Sequence, residues 1–199
     1  MSNFPLAVNT DQYWDAIYEK EQGDDFSRIN TGRYQFLLGQ IKDKDKVLDF
    51  GCGIGEFLKW IKEKKPNTIL TGIDYSPYAI KIAKKNCKEN NYIVNDKLEG
   101  DNYDVIIMSH VIEHLKFPEE YIIDARKRLK DNGLLLVVLP AHDRVWIEHP
   151  KVWTLNDMRD FFKTFSGWFW TMVYRPNTGV VYKDGHPMEE SIIIMRKLK

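Results

Sequence analysis

The stretch VLDFGCGIGEFL, Val47 to Leu58, holds the residues of this 199-residue chain whose types and spacing speak most directly of chemistry. Asp49 is followed by Gly51, Gly53 and Gly55, glycines at alternate positions just past a short apolar run. In an open α/β sheet, a glycine-rich turn after the first strand lets ligand atoms approach the backbone at the carboxyl ends of the strands. A dinucleotide fingerprint, G-x-G-x-x-G, requires a small residue at position 56, where this chain has Glu56. A carboxylate at the mouth of that helix repels a diphosphate. The G-x-G-x-G spacing, with Asp49 just ahead of it, instead favours a ligand carrying positive charge near the loop, such as a free amine or a sulfonium.

A second acid stands where a ribose is gripped in such folds. NTILTGID ends in Asp74, about 20 residues beyond the glycines, from where a carboxylate accepts both hydroxyls of a ribose. The two acids together imply an adenosyl ligand. Tyr75, next in line, is placed to lie against the adenine, and Asn95 and Asp96 to meet its amino group. Ser109 and His110 end the fourth apolar strand, beside the remainder of such a ligand.

These residues need strands and helices to position them, and the hydrophobic pattern predicts both. From Lys46, short apolar runs alternate with helical stretches: KVLDF, EFLKWIKEKK, NTILTGID, SPYAIKIAKKNCKEN, NYIVN, YDVIIMSH, FPEEYIIDARKRLK and GLLLVVLP. Near-continuous apolar strands such as VIIM and LLLVVL predict a parallel sheet with helices on both faces, a doubly wound α/β sheet built from right-handed crossovers. Two helices are expected ahead of it. One is capped by Thr10 and carries Tyr13, Trp14, Ile17 and Tyr18; the other is capped by Ser27 and runs to about Gln40, with Tyr34, Leu37, Leu38 and Ile41 on one face. After Pro140 come an irregular stretch, a helix capped by Thr154, and the runs GWFWTMVYR and SIIIMRKL, which read as an antiparallel strand pair at the sheet edge. No internal repeat, low-complexity tract or linker interrupts the chain. Residues 1–199 are therefore expected to form a single domain, with lid helices over 1–44, a cofactor-binding core over 45–140 and an acceptor-side segment with the final strand pair over 141–199.

Composition narrows the partners. Hydrophobic residues are 43% and charged residues 29% of the chain, and no segment approaches the roughly 20 apolar residues that span a bilayer. The start, MSNFPLAVNTDQ, lacks a basic segment followed by an apolar core, so no secretory signal is expected. Cys52 and Cys87 are too few for a disulfide framework and too far apart for a CxxC site, which suits a reducing, cytoplasmic compartment. Lys plus Arg equals Asp plus Glu at 29 each, so no overall field draws in a nucleic-acid backbone. A small or neutral partner is expected.

Taken in order, VLDFGCGIGEF, TGIDYSP, YDVIIMSHVIEHL and GLLLVVLP resemble the successive motifs of class I S-adenosylmethionine-dependent methyltransferases, most closely the small-molecule enzymes of the ubiquinone and menaquinone biosynthesis type. The resemblance covers Lys46 to Pro140 by motif and the flanks by architecture. It implies a Rossmann-like, seven-stranded sheet, mostly parallel with an antiparallel final strand. It implies S-adenosylmethionine as cofactor, with Gly51, Cys52 and Gly53 at the methionyl group, Asp49 near its ammonium and Asp74 on the ribose. Ser109 and His110 then lie beside the methionyl part, and Arg33, borne with Tyr13 and Trp14 on the two lid helices, is placed to pair with the methionyl carboxylate. The implied reaction is in-line methyl transfer to a small-molecule acceptor, oxygen ahead of nitrogen or carbon. An RNA or protein methyltransferase would share every cofactor feature, although no basic aromatic platform or NPPY-like signature is present. A non-catalytic adenosyl-binding partner subunit is the alternative from a different class.

An oxygen acceptor must also lose a proton, and histidine is the suitable base near neutral pH. His114, on the loop after the fourth strand, and His149, after the fifth, are the candidate catalytic bases; His142 and His186 fall in the same acceptor-side regions. His110-Val111-Ile112-Glu113-His114 also matches H-x-x-E-H, a zinc pattern that needs both imidazoles on one face of a helix. Here the first histidine ends a strand, so no metal is expected. Asp49-Phe50-Gly51 spells the metal-binding triplet of protein kinases, but no HRD loop and no preceding nucleotide lobe accompany it.

Overall fold

The apolar runs become strands β1 (Lys46–Phe50), β2 (Ile69–Asp74), β3 (Asn91–Val94), β4 (Tyr103–Ser109), β5 (Leu129–Pro140), β6 (Trp168–Arg175) and β7 (Glu190–Lys197). They form one seven-stranded sheet in the order β3-β2-β1-β4-β5-β7-β6. The computed structural model describes residues 8–21, 31–141, 149, 153–175 and 189–199; Ser27, His142 and His186 lie outside them. β1 pairs in parallel with β2 and β4, β2 with β3, and β4 with β5. β7 runs antiparallel to both β5 and β6. The expected antiparallel pair is therefore present, with the later strand inserted between β5 and the edge strand.

Helices α1 (Asp11–Glu21), α2 (Thr31–Gln40), α3 (Glu56–Lys64), α4 (Pro77–Asn86), α5 (Pro118–Arg128) and α6 (Leu155–Lys163) accompany the sheet. Because strand side chains alternate between faces, the central strands feed two cores. Leu48, Ile106, Met108, Leu135 and Val137 pack with Ile122 and Ala125 of α5 and Met158 and Phe162 of α6. Val47, Val105, Ile107, Leu136 and Val138 pack with Leu37 of α2, Leu58 and Ile61 of α3, and Ile80 and Ala83 of α4. The helices thus cover both faces, as the apolar strands require. β3 and β4 are joined without a helix.

Local signals start the helices where the sequence places them. Tyr13 N donates to Thr10 Oγ1 at 3.1 Å, and Ala79 N donates to Ser76 Oγ at 2.9 Å. At α6, Asp157 N donates to Thr154 Oγ1 at 3.2 Å while Thr154 N donates to the Asp157 carboxylate at 3.0 Å, a reciprocal capping box. Thr154→Ala is expected to lower unfolding stability by about 1 kcal/mol, read from the urea midpoint at constant m; an unchanged midpoint would mean that the box adds nothing.

Candidate functional site

The turn after β1 is built from left-handed glycines, with φ of 79° at Gly51 and 53° at Gly53. Gly51 N and Cys52 N both donate to Ile73 O, at 2.7 and 3.0 Å, which stitches the turn to the end of β2. A Cβ at Gly51 would collide with Val111 Cγ2, and one at Gly53 would lie 3.0 Å from the hydroxyl of Tyr18 on α1. Only glycine meets both the dihedral and the space.

Asp74 closes the other side of this turn. Its Oδ2 accepts from Gly53 N at 2.8 Å and its Oδ1 from Ser76 N at 2.9 Å. A carboxylate has about four lone-pair positions, so acceptor capacity remains for a ligand's hydroxyls. Burial pushes the Asp74 carboxyl upward in pKa, opposed by the backbone donors of Ser76, Gly53 and Tyr75. Asp49, 3% exposed in β1, is pushed up to about 7, first by burial and then by the charge of Asp74, with Arg33 acting in the opposite direction.

Gly51, Asp74, Tyr75, Asn95, Asp96, His110 and His114 line one cavity of about 630 Å³, a size suited to a small organic ligand. Trp14 and Tyr18 of α1 complete the wall. Other residues singled out from the sequence stand off it. Asp49 is buried in β1, and Gly53 offers its backbone N–H to Asp74. Cys52 is directed into the core on the α3 side; a Cβ at Gly72 would sit 2.8 Å from its Sγ. Ser109 ends β4, half-buried and away from the cavity. Arg33 places Nη1 2.7 Å from His110 Nε2.

His110 holds an unusual conformation, φ 56° at the end of β4, a strain that surrounding structure must impose. Its Nδ1 faces Glu113 at 3.3 Å and its Nε2 faces Glu190 at 3.5 Å. Burial works to lower the ring's pKa, but hydrogen bonds to Glu113 and Glu190 outweigh it and the net direction is upward. A guanidinium only donates, so the close Arg33 contact requires a lone pair on Nε2. In the neutral ring that leaves the proton on Nδ1, toward Glu113, an assignment made from the contact geometry, and the Arg33 charge opposes the upward pull of the two carboxylates.

His114 and His149 come together, their rings T-shaped with centroids 4.8 Å apart, and Trp14 lies against His114 at 4.9 Å. The H-x-x-E-H stretch forms no α-helix: Ile112–His114 is a 3-10 turn. Ligand atoms of Glu113, His114 and His149 lie within 4.8 Å of one another.

Several participants had no sequence signal. Asp15 on α1 accepts from Ser76 Oγ and from Tyr78 N, the latter at 3.0 Å, pinning α1 to the start of α4 across 61 positions of sequence. Tyr121 OH donates to Asp96 O at 3.0 Å, fixing the loop after β3. The spacing of Trp14 and Tyr18 marked one helical face, but not that it roofs the glycine turn.

Residues 23–172, more than half of the chain, match the methyltransferase domain family. The chain belongs to that family. A ubiquinone biosynthesis O-methyltransferase of Rickettsia akari is 32% identical over 124 residues, covering 55% of this chain and 49% of the relative. The chain spans about half the length of the curated relatives it matches. Among solved structures, a Haloferax volcanii chain in complex with the Trm112 methyltransferase activator aligns over 94% of this chain and 98% of its own, with TM-score 0.74 and 15% identity. The plantazolicin methyltransferase BamL, bound to a desmethyl substrate analogue and SAH, covers 95% of this chain and 94% of its own, with TM-score 0.71 and 15% identity. At such identities these two establish the shared fold, a Rossmann-like methyltransferase sheet.

The raised Asp49 pKa has a signed consequence. Between its model-peptide value and about 7 the folded chain binds the Asp49 proton more than the unfolded chain does, so this residue's stabilising share is present below that window and is lost as pH rises through about 7. Asp49→Asn is expected to be more stable than the wild type at pH 8, with the difference shrinking toward pH 4 in denaturant titrations. A difference that stays flat over this range would refute the assignment.

Proposed function

We propose that this methyltransferase chain transfers a methyl group from S-adenosylmethionine to a small-molecule acceptor, with oxygen as the receiving atom. The observation that carries the reading is Asp74, aligned by two backbone donors at the rim of a cavity floored by the left-handed glycine turn. The residues suit an adenosyl sulfonium. A carboxylate with spare lone pairs faces the place of a sugar, and acids at Asp49, Glu56 and Asp74 surround a turn that polyphosphate ligands usually occupy in related folds. The name of the Rickettsia relative, an O-methyltransferase, supports oxygen as the atom methylated.

In this reading Asp74 holds the ribose, Asn95 and Asp96 meet the adenine with Tyr75 beside it, and Gly51 exposes backbone to the methionyl part. Asp49 supplies negative charge beneath the ammonium, and Arg33 pairs with the carboxylate. When bound, S-adenosylmethionine supplies an electrophilic methyl group on a sulfonium. Trp14 and Tyr18 exclude water from above, and the chain's main work is holding two reactants in line, an effect that supplies roughly 7 to 11 kcal/mol in well-oriented reactions. His114, on the cavity wall with His149 packed against it, is placed to take the proton of a hydroxyl acceptor. Residues 1–199 act as one unit in which α1 and α2 form the lid.

Calorimetric titration tests the cofactor: S-adenosylmethionine and S-adenosylhomocysteine are expected to bind, and NAD or ATP to fail. Asp74→Ala should weaken the adenosyl ligands by about 10-fold or more, the loss of charge-assisted hydrogen bonds. Transfer of labelled methyl to phenolic acceptors, lowered about 100-fold in His114→Gln with S-adenosylhomocysteine affinity retained, tests the reaction. Transfer to RNA or protein pools and not to phenols would replace the acceptor assignment.

A further inference from the structure

Glu190 opens β7 with its side chain completely buried. A buried carboxylate is unfavourable unless cations neutralise it, and here two arginines from distant parts of the chain do so. Arg33 Nη1, on α2, donates to Glu190 Oε2 at 3.1 Å. Arg175 Nη1, at the end of β6, donates to Oε1. The cations hold the Glu190 carboxyl below its ordinary range against the upward push of burial, with His110 and Arg33 contributing most.

The same Arg33 nitrogen that reaches Glu190 also touches His110, a residue of the cavity wall. Two guanidinium groups share this one carboxylate, and Glu113 faces the other nitrogen of His110. A long arginine side chain on a lid helix would otherwise sample many rotamers. Glu190 removes that freedom, and Arg175 shares the Glu190 charge from the other carboxylate oxygen.

We propose that Glu190 is a positioning residue for cofactor binding: it fixes the Arg33 guanidinium beside His110, where Arg33 receives the methionyl carboxylate, while Arg175 balances the Glu190 charge. This rests on the reading of Arg33 given above and adds the residue through which it works. Sheet and lid are thereby joined at the cofactor's amino-acid end: β7 supplies the anchor, α2 the cation, and β4 the imidazole that flanks it.

The test compares two ligands on the full chain by calorimetry: S-adenosylhomocysteine, and 5′-methylthioadenosine, which keeps the nucleoside but lacks the amino-acid end. Glu190→Gln is expected to weaken S-adenosylhomocysteine about 10-fold, as for a lost charge-assisted contact, with 5′-methylthioadenosine affinity unchanged. Arg33→Met should show the same selectivity, and the double variant should lose no more than Arg33→Met alone. Equal weakening of both ligands by Glu190→Gln, or of neither, overturns the proposal. If Arg33→Met is selective and Glu190→Gln is not, Glu190 alone is refuted; if Arg33→Met is not selective, the Arg33 assignment falls and Glu190 with it. Should Glu190→Gln fail to give a cooperative melting curve, Glu190→Asp, which keeps the charge but shortens the reach, carries the same comparison and the same criteria.

Discussion

The site depends on a carboxylate that ties one loop to the next strand. Asp74 ends β2 and accepts from the backbone of Gly53, while Ile73 beside it accepts from Gly51 and Cys52. These contacts hold a run of left-handed residues that would otherwise carry the largest backbone entropy of any in the chain. Everything on the ligand side inherits that geometry: the floor of the cavity, the direction of the Asp74 carboxylate, and the start of α3 behind it. Helix α1 is referred to the same point, because Asp15 accepts from Ser76 and Tyr78, just after Asp74.

Electrostatics sort the ligands that this geometry admits. Helix starts near glycine turns ordinarily attract phosphate, yet here acids stand in and around the turn, and two of them are buried with raised pKa values. Neighbouring carboxylates that resist ionising together are relieved by a cation and aggravated by an anion. Arg33 brings a cation to the same site: it opposes the upward shift at Asp49, pairs with Glu190 and touches His110 on the cavity wall. Acids and a cation thus stand together, which suits the ammonium, sulfonium and carboxylate of the proposed cofactor better than a uniformly charged ligand.

How much of this was legible in the sequence follows from the range of the interactions. β1, β2, β4 and β5 were readable because each buries side chains on both faces and so appears as an apolar run, and the glycines and Asp74 because a turn and the strand beside it keep fixed offsets. Cys52 shows the limit: its place between glycines was legible, but not that its side chain turns toward Gly72 and the core. Glu190 was invisible for a different reason. It meets Arg33 across 157 positions, and a glutamate at the start of an apolar strand has nothing in its local pattern to distinguish it from a solvated one. The meeting of His114 with His149 belongs to the same class, since the two lie far apart in sequence.

The placement of β7 bears on how the molecule assembles. Among the described residues, β6 pairs in the sheet with β7 alone, and β7 itself lies against β5. During synthesis from the amino end, residues 168–175 leave the ribosome with no strand to join, and the long apolar flank of β5 stays open beside them. Both gaps close in a single event when residues 190–197 emerge and slide between the two. The partner of Arg33 arrives with that same strand, so a nascent chain has the residues of its glycine turn before Glu190 can meet Arg33.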